Sequence, residues 1–228
     1  MNNNSPNPYS STHKVGIHTT FFGKVMAFFA LAIAASAAGV FLGYQYMLEF
    51  FFANAWAMYA LFAVELVIIF TSGRWSTKTP LNRILFALFA LITGVTIAPL
   101  VGVLASTPGG LPLVTKALAI TALTFTGAGL FGATTKIDLS GLRGFLVVGL
   151  VGVIITAIVG IFVPWNNTFE MFFSGFGVLL FTGFAIYDFQ KIKQYPEDRY
   201  VDAALALYLD IFNLFIYVLR LLMALRSD

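Results

Sequence analysis

Seven long apolar stretches, each close to twenty residues and nearly free of charged side chains, dominate this sequence. A helix rises ~1.5 Å per residue, so roughly 20 residues cross the ~30 Å hydrocarbon core of a bilayer. Breaker residues separate the stretches, and within them apolar and polar residues do not alternate as they do in membrane β-strands. The predicted spans cover residues 25–48, 54–72, 84–104, 113–133, 144–163, 169–191 and 203–224.

The composition excludes two other classes of protein. Of 228 residues, 10% are charged and 59% are hydrophobic, whereas about 25% of the residues of a soluble domain are charged. A soluble domain of this length still exposes about a quarter to a third of its unfolded surface, so it cannot hide this much apolar surface. Disordered proteins combine low hydrophobicity with high charge. We therefore predict an all-α polytopic membrane protein with seven transmembrane helices.

The chain divides into a polar tail and a membrane domain. Residues 1–20 are rich in Asn, Ser and Thr and contain two prolines, a composition that predicts a disordered cytoplasmic tail rather than a signal peptide. Residues 21–228 are predicted to form one seven-helix transmembrane domain. The chain has no cysteine, which excludes disulfides, thiolate metal sites and cysteine nucleophiles. Its basic residues are few and dispersed, so no nucleic-acid partner is predicted.

The distribution of Lys and Arg predicts the orientation of the chain. Cytoplasmic loops collect these residues. If the N-terminus is cytoplasmic, the inner side receives ten basic residues and the outer side receives three. This bias places the N-terminus inside and, after seven crossings, the C-terminus outside. The inner group is Lys14, Lys24, Arg74, Lys78, Arg83, Lys136, Arg143, Lys191, Lys193 and Arg199, and the outer group is Lys116, Arg220 and Arg226.

Three carboxylic acids lie well inside predicted spans, whereas the other acids, including Glu170 at the edge of the sixth span, are interpreted as loop residues. Glu65 is in the second span, Asp188 in the sixth and Asp210 in the seventh. An ionised carboxylate in hydrocarbon costs at least ~2.5–3.5 kcal/mol, so such residues usually serve a function. At ~1.5 Å per residue, all three lie roughly 5–10 Å from the inner edge. We therefore expect one layer of acids in the cytoplasmic half of the bundle.

The seventh span also carries a polar stripe. Asp210, Asn213, Tyr217 and Arg220 follow one another at spacings of 3, 4 and 3 residues, which places them on one face of a helix. Such a stripe in a membrane helix points to the bundle interior or to a water-filled cavity. Arg220 lies near the outer interface, where anchoring the helix is the alternative interpretation.

An acid pair within the membrane suggests a proton-controlled latch. Two carboxyl groups in a poorly hydrated site do not readily both ionise, so they retain one proton and titrate together. Protonated, Asp188 and Asp210 would hydrogen-bond and hold their helices together. Deprotonated, they would repel each other and offer the hard oxygen ligands that Ca²⁺ prefers. The pair is therefore a candidate pH sensor, gate and cation site.

Structural roles for these acids remain open as alternatives. Asp188 is close enough to the interface to lie among headgroups or to pair with one of the lysines that follow it. Glu65 could pair with Arg74 or Arg83 in the loop after its span. Asp210 is too deep for its short side chain to reach the interface.

The segments around these acids resemble the Bax inhibitor-1 family. The end of the sixth span, AIYDFQKI at 185–192, and the seventh-span run ALALYLDIFNLF at 204–215 carry the resemblance. The segment GATTKIDLS at 132–140 is similar to that family's bacterial branch. The resemblance covers nearly the whole chain after the tail, and it implies six helices around a central seventh.

The resemblance also implies a function and its residues. Members form a pH-sensitive Ca²⁺ leak, and the aspartate pair that senses pH matches Asp188 and Asp210. A second-span glutamate that contributes to the pore matches Glu65, and a basic residue after it matches Arg74 at a different spacing. With Asn213 from the stripe, the three acids are the predicted pore or cation-binding residues, and the acids are the predicted Ca²⁺ ligands. No catalytic residue and no cofactor other than Ca²⁺ is predicted.

Two alternative functions and a location complete the predictions. Bacterial relatives are linked to a membrane-bound ATP-dependent protease, so a modulator of that protease that transports nothing is one alternative. An intramembrane aspartyl protease is the other: Tyr187 and Asp188 fit its first motif, but no Gly-x-Gly precedes Asp210. Phe189 stands where many family members have Thr. The C-terminus lacks the lysine-rich tail of eukaryotic members, which favours a prokaryotic plasma (inner) membrane.

Overall fold

A computed structural model describes residues 10–226, with side chains from residue 21 onward. Within that part of the chain every regular element is a helix, and six helical segments are long and apolar enough to cross a membrane. A further apolar helix is shorter. The α-helices are α1 (Ser10–Leu42), α2 (Leu48–Ala53), α3 (Ala55–Phe70), α4 (Ser72–Trp75), α5 (Leu81–Ser106), α6 (Gly110–Thr134), α7 (Leu142–Phe162), α8 (Asn167–Lys191) and α9 (Tyr200–Arg226).

Each predicted span corresponds to helical structure, which confirms the all-α polytopic fold. The first span runs from Phe21 to Ala53, because a π-helical segment at Gly43–Met47 joins α1 to α2. The second span is α3, whose 16 residues extend about 24 Å. The remaining spans are α5 to α9. Helix α5 begins at Leu81, before the predicted residue 84, and its buried Asn82 donates a hydrogen bond to the Ser76 carbonyl in the preceding turn.

The predicted tail lies largely beyond what the structure describes. Residues 1–9 and 227–228 are outside the described residues, and residues 10–20 are described only as the backbone of the start of α1. The first candidate membrane span begins at Phe21, where the predicted membrane domain begins. Disorder of residues 1–20 stays a prediction.

Helix α9 is the centre of the bundle, as the family resemblance implies. Thirteen of its 27 residues are buried, and it packs against α1, α5, α6 and α8. Helix α7 is the opposite case, because only Leu146 and Val153 are buried and its main neighbour is α8. The last span is therefore enclosed by the earlier ones, and side chains on its different faces meet different helices.

Helices α1 and α5 cross closely beside α9. A Cβ atom added to Gly94 of α5 would lie 2.0 Å from the carbonyl oxygen of Ser36 in α1, so only glycine permits this approach. The Ser36 hydroxyl donates a hydrogen bond to the Ala90 carbonyl at 2.9 Å. Its oxygen also lies 2.5 Å from the Tyr208 hydroxyl of α9. Three helices are thus joined around one buried serine.

Loop contacts identify two ends of the bundle. At the end that we call inner, the Nε of Arg83 donates to the Tyr200 hydroxyl at 3.3 Å, and Lys193 lies in the α8–α9 connection. At the outer end, the Arg226 guanidinium donates to the Pro108 carbonyl. The predicted inner and outer basic residues with described side chains lie at these opposite ends. Which end faces the cytoplasm stays a prediction.

Candidate functional site

The aspartates of α8 and α9 meet between these two helices. Their carboxyl groups are close enough to act on each other electrostatically. Asp210 is only 4% exposed, and its Oδ2 has no hydrogen-bond partner among the described residues. Asp188 is half-buried and lies nearer the inner end. The structure therefore brings together the two acids that the sequence predicted to meet, and it leaves the deeper one incompletely satisfied.

Asp188 differs from Asp210 in having basic neighbours. Lys191, almost one helical turn later, and Arg143 at the start of α7 both act on the Asp188 carboxylate electrostatically. Neither forms a direct ion pair with it in the described part of the chain. Lys193 does not pair with Asp188 either, because its ammonium donates to the Ala133 carbonyl at 2.5 Å. The pairing of Asp188 with a following lysine is thus at most a longer-range attraction.

Three residues of the polar stripe of α9, Asp210, Tyr217 and Arg220, face α8. Tyr217 packs so closely on Gly177 that a Cβ atom there would lie 2.2 Å from the tyrosine ring. The ring of Phe181 stacks on Tyr217 with a centroid distance of 5.6 Å. Arg220 forms a two-pronged ion pair with Glu170, with N–O distances of 2.6 and 3.0 Å. Outward of the acid pair, the α8–α9 interface is therefore packed and bridged.

Glu170 is the residue that the sequence reasoning missed, because it was assigned to a loop. Asn166 caps α8 by accepting a hydrogen bond from the Phe169 amide at 2.8 Å, so Glu170 falls in the first turn of the helix. An Asn cap followed by an acid is a recognisable start signal. Its partner Arg220 is 50 residues away, a pairing that sequence spacing does not reveal. Arg220, for which anchoring the helix was the alternative interpretation, thus forms a specific ion pair with Glu170.

Asn213 and Arg74 do not join the acid pair. The Asn213 amide donates to the Leu209 carbonyl of its own helix at 2.7 Å. Arg74 is exposed in α4, and the described residues contain no ion pair between it and Glu65. The physical reason is that Glu65 has another partner, the Thr96 hydroxyl, which donates to its Oε1 at 2.9 Å. The functional roles assigned to Asn213 and Arg74 stay predictions.

Glu65, on α3, belongs to a second buried cluster, which lies against another face of α9. Thr93 of α5 neighbours both Glu65 and Tyr208. Tyr208 is fully buried and bonded to Ser36. Tyr208 and Asp210 are two residues apart, so they point about 200° apart around the helix. We name this cluster the tyrosine network; it consists of Ser36, Glu65, Thr93, Thr96 and Tyr208.

The predicted layer of three acids is therefore divided in space. Glu65 lies on α3, which packs on α5, and its hydrogen-bond partner Thr96 belongs to α5. Nowhere among the described residues do three or more His, Asp or Glu side chains converge as metal ligands. The Ca²⁺ site predicted from Asp188, Asp210 and Glu65 is thus not assembled at one point, since equal depth along three helices does not mean a shared face. Ca²⁺ binding by the aspartate pair alone stays a prediction.

The loop between α6 and α7 is attached to α8 just beyond Asp188. The Gln190 amide donates to the Ile137 carbonyl at 2.7 Å and accepts from the Leu139 amide at 3.1 Å. Within the loop, Asp138 accepts a hydrogen bond from the Ser140 backbone amide at 2.9 Å. That bond lowers the pKa of the exposed Asp138 carboxyl below its usual value. The segment at 132–140 therefore closes the inner side of the α6–α8 contact.

Comparison with known proteins agrees with this architecture. The family described as "Inhibitor of apoptosis-promoting Bax1" matches residues 18–227. An uncharacterized protein of Campylobacter jejuni is 28% identical over 91% of this chain and 89% of its own length. An uncharacterized protein of Borreliella burgdorferi is 30% identical over 93% of this chain and 95% of its own length.

A eukaryotic relative carries the family name. The protein named Bax inhibitor 1 of Schizosaccharomyces pombe is 30% identical over 77% of this chain, and the match spans 64% of the yeast protein. The family match includes the aspartates of α8 and α9 and the central helix that carries Asp210. The chain therefore belongs to the Bax inhibitor-1 family, as an integral membrane protein of that family.

Proposed function

We propose that this protein is a pH-sensitive Ca²⁺ leak in which the Asp188–Asp210 pair is the gate. The observation that carries the proposal is the meeting of these two acids between α8 and α9, with one carboxylate oxygen of Asp210 buried and unpaired. A buried polar atom without a partner is uncommon in folded proteins, and it requires an explanation. In this proposal the unpaired Asp210 oxygen is the atom that binds a proton or a cation. The protein has no enzymatic activity in this proposal.

The gating step follows from the chemistry of a shared proton. With one proton between them, Asp188 and Asp210 attract each other and hold α8 against α9. When the proton leaves, two like charges about 4 Å apart repel each other by roughly 4 kcal/mol at an effective dielectric of about 20. In this proposal, the repulsion separates the inner halves of the two helices. The exposed carboxylates then serve as ligands for the passing Ca²⁺.

The packed outer half of the α8–α9 interface supports a closed state for the described conformation. Tyr217 fills the space above Gly177, and the Arg220–Glu170 pair bridges the helices further outward. In this proposal, ions pass between α8 and α9 only when these side chains move. Repulsion at the aspartates therefore has to be transmitted outward along α8. Acid pH keeps the leak closed, and neutral pH opens it.

The test is Ca²⁺ flux into liposomes that contain the purified protein and a trapped Ca²⁺ dye, measured between pH 6 and pH 8. Wild-type flux is expected to rise with pH. Asp210→Asn is expected to reduce the flux and flatten its pH dependence, whereas Asp138→Asn, which removes an exposed acid outside the membrane, is expected to leave both unchanged. Unchanged flux of Asp210→Asn at every pH would contradict the gate. Cleavage of a membrane substrate that Asp210→Asn abolishes would indicate the aspartyl protease instead.

We propose in addition that the inner end is cytoplasmic and that the membrane is a prokaryotic plasma membrane. The clustering of basic residues at the inner end supports the orientation. Because the chain has no cysteine, single cysteines at Thr77 and Ser106, which are both exposed, report the two ends. A thiol reagent that cannot cross membranes is expected to label Ser106→Cys in intact cells and Thr77→Cys only after lysis. The reverse pattern would contradict the orientation.

A further inference from the structure

A lysine at the inner end of α8 is held between two aromatic rings. The ammonium of Lys191 lies 5.7 Å from the ring centroid of Tyr187 and 5.4 Å from that of Tyr195. Both distances are within the range of an attractive cation–π contact. Tyr195 is half-buried, and its ring packs against the hydrophobic core. The rings thus restrict a side chain that would otherwise sample many rotamers, and they keep its charge near one place.

That place is beside the acid pair. Lys191 follows Asp188 by three residues, so both lie on one face of α8, and its charge acts on the Asp188 carboxylate. Lys191 also lies in the last turn of α8, where the helix dipole favours a positive charge. Lys193 is a natural contrast, because it is exposed and donates to the Ala133 carbonyl. Of the two lysines, only Lys191 is placed to act on the pair.

The surroundings of Tyr195 add two observations. Burial and the neighbouring carboxyl groups of Asp188 and Asp202 raise the pKa of the Tyr195 hydroxyl above its usual value, so this ring stays neutral. Asp202, in the first turn of α9, has a buried Oδ2 with no hydrogen-bond partner among the described residues. The inner side of the pair is therefore rich in carboxyl groups, and Lys191 is a cation held among them.

We propose that the Lys191 ammonium is a tethered cation that occupies the inner entrance to the Asp188–Asp210 pair. A divalent cation must displace this ammonium to reach the two carboxylates. The inference rests on the proposed Ca²⁺ leak and names a residue that determines its apparent affinity for Ca²⁺. An ammonium and Ca²⁺ are attracted by the same carboxylates, and a fixed positive charge repels an incoming cation. Removing the charge therefore makes entry easier without changing the path itself.

The experiment measures Ca²⁺ flux into liposomes over a range of Ca²⁺ concentrations at pH 7.5 for wild type and three variants. Lys191→Met removes the charge but keeps an unbranched side chain. It is expected to lower the half-saturating Ca²⁺ concentration about threefold to fivefold, a range suited to a partly exposed charge pair, while the maximal flux stays the same. Lys191→Arg is expected to stay within about twofold of wild type. Lys193→Met, the matched control, is expected to match wild type.

Two further variants test the aromatic cage. Tyr195→Leu removes a ring and is expected to shift the half-saturating concentration in the same direction as Lys191→Met, but by a smaller factor. Tyr195→Phe keeps the ring and is expected to behave as wild type, since the contact uses the face of the ring and not the hydroxyl. Equal shifts of the half-saturating Ca²⁺ concentration in Tyr195→Phe and Tyr195→Leu would overturn the role of the Tyr195 ring.

The outcomes separate this inference from the function on which it rests. If the wild type conducts Ca²⁺ and Lys191→Met has the same half-saturating concentration, the role of Lys191 is overturned. The proposed Ca²⁺ leak is not affected by that result. A fall in maximal flux without a change in half-saturation indicates a structural role for Lys191 and also overturns the inference. Wild-type flux no greater than that of empty liposomes overturns both. Equilibrium binding of ⁴⁵Ca²⁺ to the full chain in nanodiscs gives a second readout, in which Lys191→Met is expected to bind more tightly.

Discussion

The two faces of the central helix differ in whether their buried polar groups have hydrogen-bond partners. On the face toward α1 and α5, Tyr208 is fully buried, its hydroxyl is bonded to Ser36, and Phe86 and Phe89 approach its ring edge-on at 6.0 and 5.8 Å. On the face toward α8, Asp210 is equally deep but keeps an unpaired oxygen. A satisfied network makes a contact rigid, whereas an unsatisfied one costs free energy until something binds.

The difference indicates which parts of the bundle move. Helix α9 is attached to α1 by the contact between the Tyr208 and Ser36 hydroxyls, and α1 is in turn packed on α5 at the close crossing of Gly94. Its contact with α8 depends at the inner end on an acid pair whose attraction changes with protonation. We therefore expect α8 to move relative to a fixed unit of α1, α5 and α9. Each of the following predictions tests this division.

The largest effect is expected at the close crossing of the fixed unit. Gly94→Ala places a Cβ atom 2.0 Å from the Ser36 carbonyl oxygen, so the two backbones have to separate. Overpacking of this kind costs about 1–3 kcal/mol, and the Tyr208–Ser36 bond is disturbed as well. Thermal unfolding in detergent is expected to show the loss. Gly127→Ala on α6, where no atom lies within 4 Å of the added carbon, is the control and is expected to be as stable as wild type.

A smaller effect is expected when the tyrosine network loses one bond. Tyr208→Phe keeps the ring but removes the 2.5 Å contact with Ser36, and it is expected to destabilise the protein by about 1 kcal/mol. The pH profile of Ca²⁺ flux is expected to stay as in wild type. Asp210→Asn is expected to do the reverse, with altered flux and little loss of stability. If both variants altered the pH profile equally, the two faces would not be independent.

The ion pair at the outer end is expected to contribute still less. Arg220 and Glu170 are 32% and 25% exposed, so water screens part of their attraction. A double-mutant cycle of Arg220→Gln and Glu170→Gln is expected to give a coupling energy of about 0.5–1 kcal/mol in thermal unfolding. A cycle of Lys116→Gln with Glu170→Gln is the control and is expected to give none. A coupling of zero for the first cycle would show that the bridge does not hold α8 to α9.

The smallest effect is expected in the inner loop. The Ser140 amide lowers the pKa of Asp138 from its ordinary value of 3.8. A folded-state pKa below the unfolded value stabilises the fold above the unfolded pKa, and this stabilisation is lost as the pH falls through the folded pKa. Asp138→Asn is therefore expected to melt slightly below wild type at pH 7, and the difference is expected to shrink as the pH falls below the ordinary Asp pKa of about 4. A difference that persists at low pH would mean that the charge is not its cause.

Some parts of the site could be predicted from the sequence and others could not. It predicted that Asp188 and Asp210 meet, because the two acids lie at similar depth, the spacing of Asp210, Tyr217 and Arg220 identified the face of α9, and the family resemblance implied an aspartate pair. It did not separate Glu65 from this pair, because distance along a helix gives depth in the membrane but not the direction in which a side chain points. It also missed Glu170, whose partner belongs to another helix.

The amino-acid sequence by itself determined the number of spans, the fold class, the division of basic residues between two ends and the polar face of the last helix. These properties depend on bilayer thickness, on helical periodicity and on the cost of burying charge, which act on each segment separately. The family resemblance implied that α9 lies in the centre, but only the tertiary structure decided that Glu65 joins Thr96 rather than Arg74 and that the two faces of α9 differ. Those outcomes depend on which helices are neighbours and how each is rotated, and packing between distant segments sets both.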